Sequence, residues 1–102
     1  MIEVTYDFEW DGNKADSNSK KHGVTFEQAA TVFLDALAVT VFDAAHSQYE
    51  ERWFTLGHTT DGVLLAVAHT YQATSARSIR IRIISARPAT KQERCFYADD
   101  PR

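Results

Sequence analysis

Cysteine occurs once in the 102 residues, at Cys95, so no internal disulfide forms and no CxxC pair offers a metal framework. That fits a reducing cytoplasm. Long apolar runs are missing as well, and those present fall far short of the roughly 20 residues a membrane span requires. The opening MIEVTYDFEW has no basic segment followed by an apolar core, so no secretory signal is expected. No Walker loop or GxGxxG is found, which argues against nucleotide binding of those kinds. His22, His46, His58 and His69 show none of the short spacings typical of metal sites, so neither a metal nor another cofactor is expected. There is no repeat, low-complexity tract or linker. The expectation is a cytoplasmic single domain over 1–102 with no membrane partner.

What is present is ordinary for a globular protein, with 44% hydrophobic and 25% charged residues. The net charge of −3 is unevenly placed. Residues 1–50 carry three lysines against nine acids, and residues 51–102 carry eight cations against five acids. A polyanion partner needs a local basic patch rather than a basic protein. The two halves pairing with each other in the fold would explain the asymmetry equally well.

VTYDF (4–8) reads as a short strand. WDGNKADSNSKKH (10–22) reads as a polar helix placing Trp10, Lys14, Asn18 and His22 on one side, ended by Gly23. TFEQAATVFLD (25–35) is a second helix, with Thr25 and Gln28 at capping-box spacing. Phe26, Ala29, Ala30, Phe33 and Leu37 form its apolar stripe. Four strand-like runs follow at 38–42, 51–57, 63–71 and 78–85, with Asp61-Gly62 as a turn. ATKQERCFYAD (89–99) closes as a helix, led by Pro88 or capped by Thr90 with Glu93. The order β-α-α-β-β-β-β-α predicts an α+β fold, an antiparallel β-sheet with helices on one face.

In SIRIRIIS (78–85), Ile79, Ile81 and Ile83 should meet the helices, leaving Arg80 and Arg82 on the opposite face. Arginine presents a planar fork that matches phosphate oxygens. Arg82 and Arg87 lie across the end of this strand and the start of the last helix, whose N-terminus also favours an anion. Lys91 and Arg94 continue the basic stretch. The residues alone leave both readings of Arg82 and Arg87 open: phosphate ligands, or ion-pair partners of Glu50, Glu51 or Asp43. Arg80 reads as solvated. His22 reads as a proton carrier near neutrality, or as a helix C-terminal residue pairing with the dipole. Cys95 and Tyr97 read as packing residues of the last helix.

Three blocks then stand out: FEWDGNKADSNSKKHGVTFEQA (8–29), HSQYEERWFTLG (46–57) and RIISARPATKQERCFY (82–97). They resemble the signature blocks of the BrnT-type toxins, ribonuclease halves of bacterial type II toxin–antitoxin pairs within the RelE-like group. The resemblance spans nearly the whole chain. It implies a RelE-like α+β fold and metal-independent RNA cleavage that inhibits translation. It also implies neutralisation by a DNA-binding ribbon-helix-helix antitoxin of the BrnA type. The assembly to look for is a homodimer or a hetero-oligomer with that antitoxin. Shared charged positions retained here are Lys21, His22, Glu51, Arg52, Arg82, Arg87 and Glu93. On this resemblance the catalytic set is His22, Glu51, Arg52, Arg82 and Arg87, with Lys21, Arg80, Lys91 and Arg94 contacting RNA. Many relatives resemble H-T-Y-R after the third of these strands, whereas here His69, Thr70 and Tyr71 precede Gln72. The rival reading is a catalytically degenerate module that only docks an antitoxin-like partner.

Overall fold

The computed structural model describes residues 3–99, so the expected 1–102 unit extends beyond the described residues at both ends. Strand β1 (Thr5–Glu9) leads into helices α1 (Gly12–His22) and α2 (Phe26–Thr31), the latter continued by a 3-10 turn at Val32–Leu34. Strands β2 (Val39–Phe42), β3 (Trp53–His58), β4 (Leu64–His69), β5 (Gln72–Ala73) and β6 (Ser78–Pro88) follow, and α3 (Lys91–Asp99) comes last.

Each helix starts where its cap is encoded. Asp11 Oδ1 accepts from the backbone N–H of Asn13 and Lys14 at the head of α1, and Gly23 ends that helix at φ 68°. Lys20, Lys21 and His22 fill its last turn, where cations favour the helix dipole. Thr25 and Gln28 form the expected capping box of α2. The second helix is shorter than the predicted 25–35. Thr31 Oγ1 donates to the Gln28 carbonyl at 2.7 Å, and such a local bond competes with helical continuation.

The fold is α+β, as the element pattern predicts. The sheet order is β1-β6-β4-β3-β2, with β5 pairing the first part of β6. The sheet is mixed rather than wholly antiparallel, because β1 runs parallel to β6 from Thr5 opposite Ser78 to Glu9 opposite Arg82. Parallel pairing needs a long crossover, and two helices and four strands lie between these partners. Periodicity in a sequence carries no strand direction, so the pairing was not readable. The last predicted strand also lengthens: β6 runs past the expected end at 85 to Pro88, which places Arg87 in the strand.

Alternation along β6 sorts the two faces. Ile81 and Ile83 are buried against Phe26, Ala29, Val32, Leu65 and Val67 on the α1–α2 side, while Arg80 is exposed. The expectation for Ile81 and Ile83 therefore holds. Helix α3 departs from the expected single covered face. Its Tyr97 packs with Leu56, Leu64, Ala66 and Ala89, which point the other way from Leu65 and Val67. Gly57 lies where α2's extension crosses β3, and a Cβ there would meet Val32 Cγ1 at 2.9 Å.

Strand β1 covers β6 only as far as Arg82, which leaves the rest of that edge with unpaired backbone groups. Asn18 of α1 takes the missing strand's place. Its Nδ2 donates to the Ala86 carbonyl at 2.7 Å and to the Val24 carbonyl at 3.2 Å. Its Oδ1 accepts from the Ala86 N–H at 3.1 Å. Asn18 is buried, so nothing from solvent replaces these bonds. Truncation strands several buried polar groups, each worth about 1–3 kcal/mol. Asn18→Ala should therefore lower unfolding free energy by about 2–4 kcal/mol in urea titration, comparable to the ~2–5 kcal/mol expected of Ile83→Ala. An Asn18→Ala midpoint equal to wild type would show that this edge is held by something else.

Candidate functional site

The edge that Asn18 seals is also the floor of a furrow. Between α1 and β6 lies a cleft of about 320 Å³ lined by Lys14, Ser17, Lys21 and His22 from the helix and by Ile84 and Ser85 from the strand. No carboxylate lines it. The spacing of four that aligns Lys14, Asn18 and His22 is what puts a cation and an imidazole over the buried amide.

The furrow continues. A second cavity of about 450 Å³ shares Lys14 and Ile84 with the first and adds Glu9, Trp10, Glu50 and Arg82. A third of about 280 Å³ shares Glu9, Glu50 and Arg82 with the second and reaches Glu51, Tyr71, Gln72 and Arg80. Lys21, His22, Arg82, Arg80 and Glu51 thus line a row of three adjoining cavities, although they come from opposite ends of the sequence. Lys14 and Ser85 join them. Helical spacing aligns Lys14 with Asn18 and His22 without giving it a task.

Arg82 pairs with Glu50, one of the partners its neighbourhood in sequence offered. The same carboxylate oxygen lies 3.6 Å from Arg52 Nη2, so Arg52 reaches the site as the partner of that pair. Arg52 Nε is buried without a hydrogen-bond partner among the described residues.

Arg87 has gone elsewhere, and its route is instructive. Five residues separate it from Arg82, so strict alternation would turn it toward α1 and α2. Register slips between Ala68 and His69, which oppose Ser85 and Ile83 and leave Ile84 as the extra residue of a bulge. The bulge restores Arg87 to the face of Arg82, opposite Ala66. At a strand rise of about 3.3 Å per residue, the two still stand ~15 Å apart. Arg87 there makes a two-pronged pair with Glu93, through Nη1 at 2.7 Å and Nη2 at 3.0 Å. Glu93 Oε1 also accepts from the Thr90 N–H at 2.9 Å, while Thr90 Oγ1 accepts from the Glu93 N–H. The anion-favouring head of α3 is thus already filled by a side chain of the protein. Arg87 clamps α3 to the sheet. Lys91 and Arg94, exposed on that helix, line none of the three furrow cavities.

The far end of α3 is held by Tyr97, whose hydroxyl donates to Asp35 Oδ2 at 2.8 Å. Burial alone would raise the Asp35 carboxyl. The backbone N–H groups of His58 and Leu37 together with Tyr97 outweigh that and hold it below its usual range.

His69, in the stretch with the unusual Gln72, is fully buried. Its Nδ1 bonds the Thr70 carbonyl at 2.8 Å and its Nε2 bonds Thr55 Oγ1 at 2.7 Å. A carbonyl only accepts, so Nδ1 carries the proton and Nε2 accepts from Thr55. Thr55 in turn accepts from Thr40 at 2.9 Å. Burial lowers the pKa of His69, and it stands in the core as a neutral group. Among the described residues, no three His, Cys, Asp or Glu side chains gather closely enough to hold a metal ion, and no helix is long and apolar enough to cross a membrane.

Comparison with known proteins follows from this geometry. A family model described as "Ribonuclease toxin, BrnT, of type II toxin-antitoxin system" matches residues 10–93. The crystal structure of the Brucella abortus ribonuclease toxin, BrnT, superposes with a TM-score of 0.55 at 19% identity, covering 89% of this chain and 100% of that one. At that identity the likeness is one of fold. No curated protein matches the chain.

Two expectations rest on these contacts. The Arg87 pair holds Glu93 down to about 2, from an ordinary value near 4.5. Stability from Glu93 is present above about 4.5 and is lost as pH falls toward 2, whereas His69, with its lowered value, begins to weaken the fold as pH drops below about 6.5. Urea midpoints measured against pH should therefore fall in two limbs, and His69→Gln should flatten the upper one; a single limb in wild type would contradict the His69 assignment. Separately, Arg87→Ala should lower Tm by about 4–8 °C, the equivalent of ~1 kcal/mol, because it frees the start of α3. Melting unchanged from wild type would return Arg87 to the list of groups free to meet a ligand.

Proposed function

The chain belongs to the BrnT family of ribonuclease toxins of type II toxin–antitoxin systems, and from that premise we propose that it cleaves RNA along the α1–β6 furrow without a metal ion. The observation that carries the reading is that Lys14 and Arg82 line one cavity, which adjoins that of Lys21 and His22 on one side and that of Arg80 on the other. In the shared cavity Lys14 from α1 and Arg82 from β6 stand beside Glu9, Asp11 and Glu50, and a phosphodiester chain is recognised through its phosphates. The protein is acidic overall, so this local placement matters more than the net charge.

In the reaction we favour, the 2′-oxygen of RNA bonds to the adjacent phosphorus as the 5′-oxygen bond breaks, leaving a cyclic phosphate. His22 or Glu51 takes the proton of the 2′-hydroxyl, and a proton must reach the departing 5′-oxygen. Arg82, with Arg52 beside it, stabilises the charge that grows on the non-bridging oxygens. Lys14 and Lys21 hold flanking phosphates. Arg87, Lys91 and Arg94 stand outside this scheme, at the head and flank of α3. Consistent with the family, a BrnA-type DNA-binding antitoxin would neutralise the toxin, in the cytoplasm, before translation is blocked.

Arg82→Ala should lower RNA cleavage by about 10²–10³-fold, since one preorganised charge contact to the reacting phosphate is lost. Its Tm should stay within a few degrees of wild type, because exposed ion pairs contribute about 0–1 kcal/mol. Purified protein is incubated with total RNA in chelator, beside thermal melts. Undiminished cleavage by Arg82→Ala removes the furrow from the mechanism. Cleavage abolished by chelator and restored by magnesium or zinc overturns metal independence. A wild type that binds antitoxin yet never cleaves RNA is a docking module instead.

A further inference from the structure

Glu50 stands where a phosphate would. Its Oε1 accepts a short, charge-assisted bond from Arg82 Nη2 and lies 3.6 Å from Arg52 Nη2. One anionic oxygen thus faces two guanidinium groups, the arrangement that arginines make around a phosphate oxygen. The fit is incomplete on one side. A separation of 3.6 Å is too long for a hydrogen bond, so Arg52 meets Glu50 through charge and its Nη2 is left to donate to a closer anion.

Two further observations concern what Glu50 divides and what carries it. It lines both the cavity of about 450 Å³ and that of about 280 Å³, as does Arg82. The carboxylate and its arginine form the partition between them. Residues 47–52 around Glu50 adopt no helix or strand, and the Glu50 side chain is 39% exposed. Among the described residues its ion-pair partners are Arg82 and Arg52, and neither belongs to the core.

We propose that Glu50 is an internal substitute for the substrate's phosphate: it occupies the Arg52–Arg82 fork in the RNA-free protein, and a phosphodiester of single-stranded RNA displaces it. Displacement opens the partition, and the two cavities become one path for the strand. This rests on the ribonuclease reading of the furrow and adds a regulator to it. The device also explains the acids of this region, since an arginine pair left bare would bind any passing phosphate. Apparent affinity scales with the fraction of molecules whose fork is open. If Glu50 fills the fork in about 80–90% of molecules, removing it raises affinity about five- to tenfold.

The experiment measures binding of a non-cleavable 2′-O-methyl RNA oligonucleotide by anisotropy, for wild type, Glu50→Gln, Glu50→Ala, Arg82→Ala and Glu50→Ala/Arg82→Ala. Both Glu50 variants should melt near wild type and bind about five- to tenfold more tightly, and the gain should vanish when Arg82 is also removed. Equal or weaker binding by folded Glu50 variants overturns the proposal, as does a gain that survives loss of Arg82. Two unfolded Glu50 variants would make the residue structural and overturn it as well. The underlying reading fails in a different way: Arg82→Ala would bind and cleave like wild type, whatever Glu50 does.

Discussion

The site depends on one amide. Strand β6 is central to the sheet, yet its parallel neighbour stops at Arg82, and a strand in that position leaves backbone groups facing nothing. Asn18 answers the carbonyl and the N–H of Ala86 together, its amide nitrogen donating and its oxygen accepting. That contact fixes how far α1 stands from β6. Lys14 and His22, one turn to either side of Asn18, are thereby set over the strand, and the furrow follows from the spacing.

A second constraint is the bulge at Ile84. It reverses the parity of β6, so that Ile83 and Ala86 share the core although three residues apart. The same reversal returns Arg87 to the outer face, where Glu93 receives it. The arginine-rich strand therefore splits its cations between two tasks. Arg82 faces the furrow and pairs with the half-exposed carboxylate of Glu50. Arg87 is bound twice over, by a carboxylate that also caps a helix. Chemistry and architecture draw on the same residue type within one strand, separated by one inserted residue.

Much of this was legible in the sequence. The caps at Asp11, Gly23, Thr25 and Gln28, the alternation of Ile81 and Ile83 with Arg80 and Arg82, and the α+β order all follow from local rules that act within a few residues. The Arg82–Glu50 pair was among the options. What escaped were relations between distant segments: the parallel β1–β6 ladder, the placement of α3 on the other face, and the joining of α1 to the far half of β6. The bulge escaped too, because SIRIRIISARP keeps its apolar alternation only to Ile83 and gives no glycine to mark the slip. Asn18 looked like one polar residue among many on a polar helix. Its burial is a property of the partner, and the partner lies 68 residues away.

That separation has a consequence in time. The strand that organises the sheet is the last of the six to be synthesised, and the first strand waits for it before finding any neighbour. Contacts of such long range are slow to form, because the chain must close a large loop before they stabilise anything. The two walls of the furrow meet only at that closing step. A nascent chain holding the first five strands has an α1 with lysines and histidine but nothing opposite them. Whatever the furrow binds, topology alone defers that binding until β6 has been made.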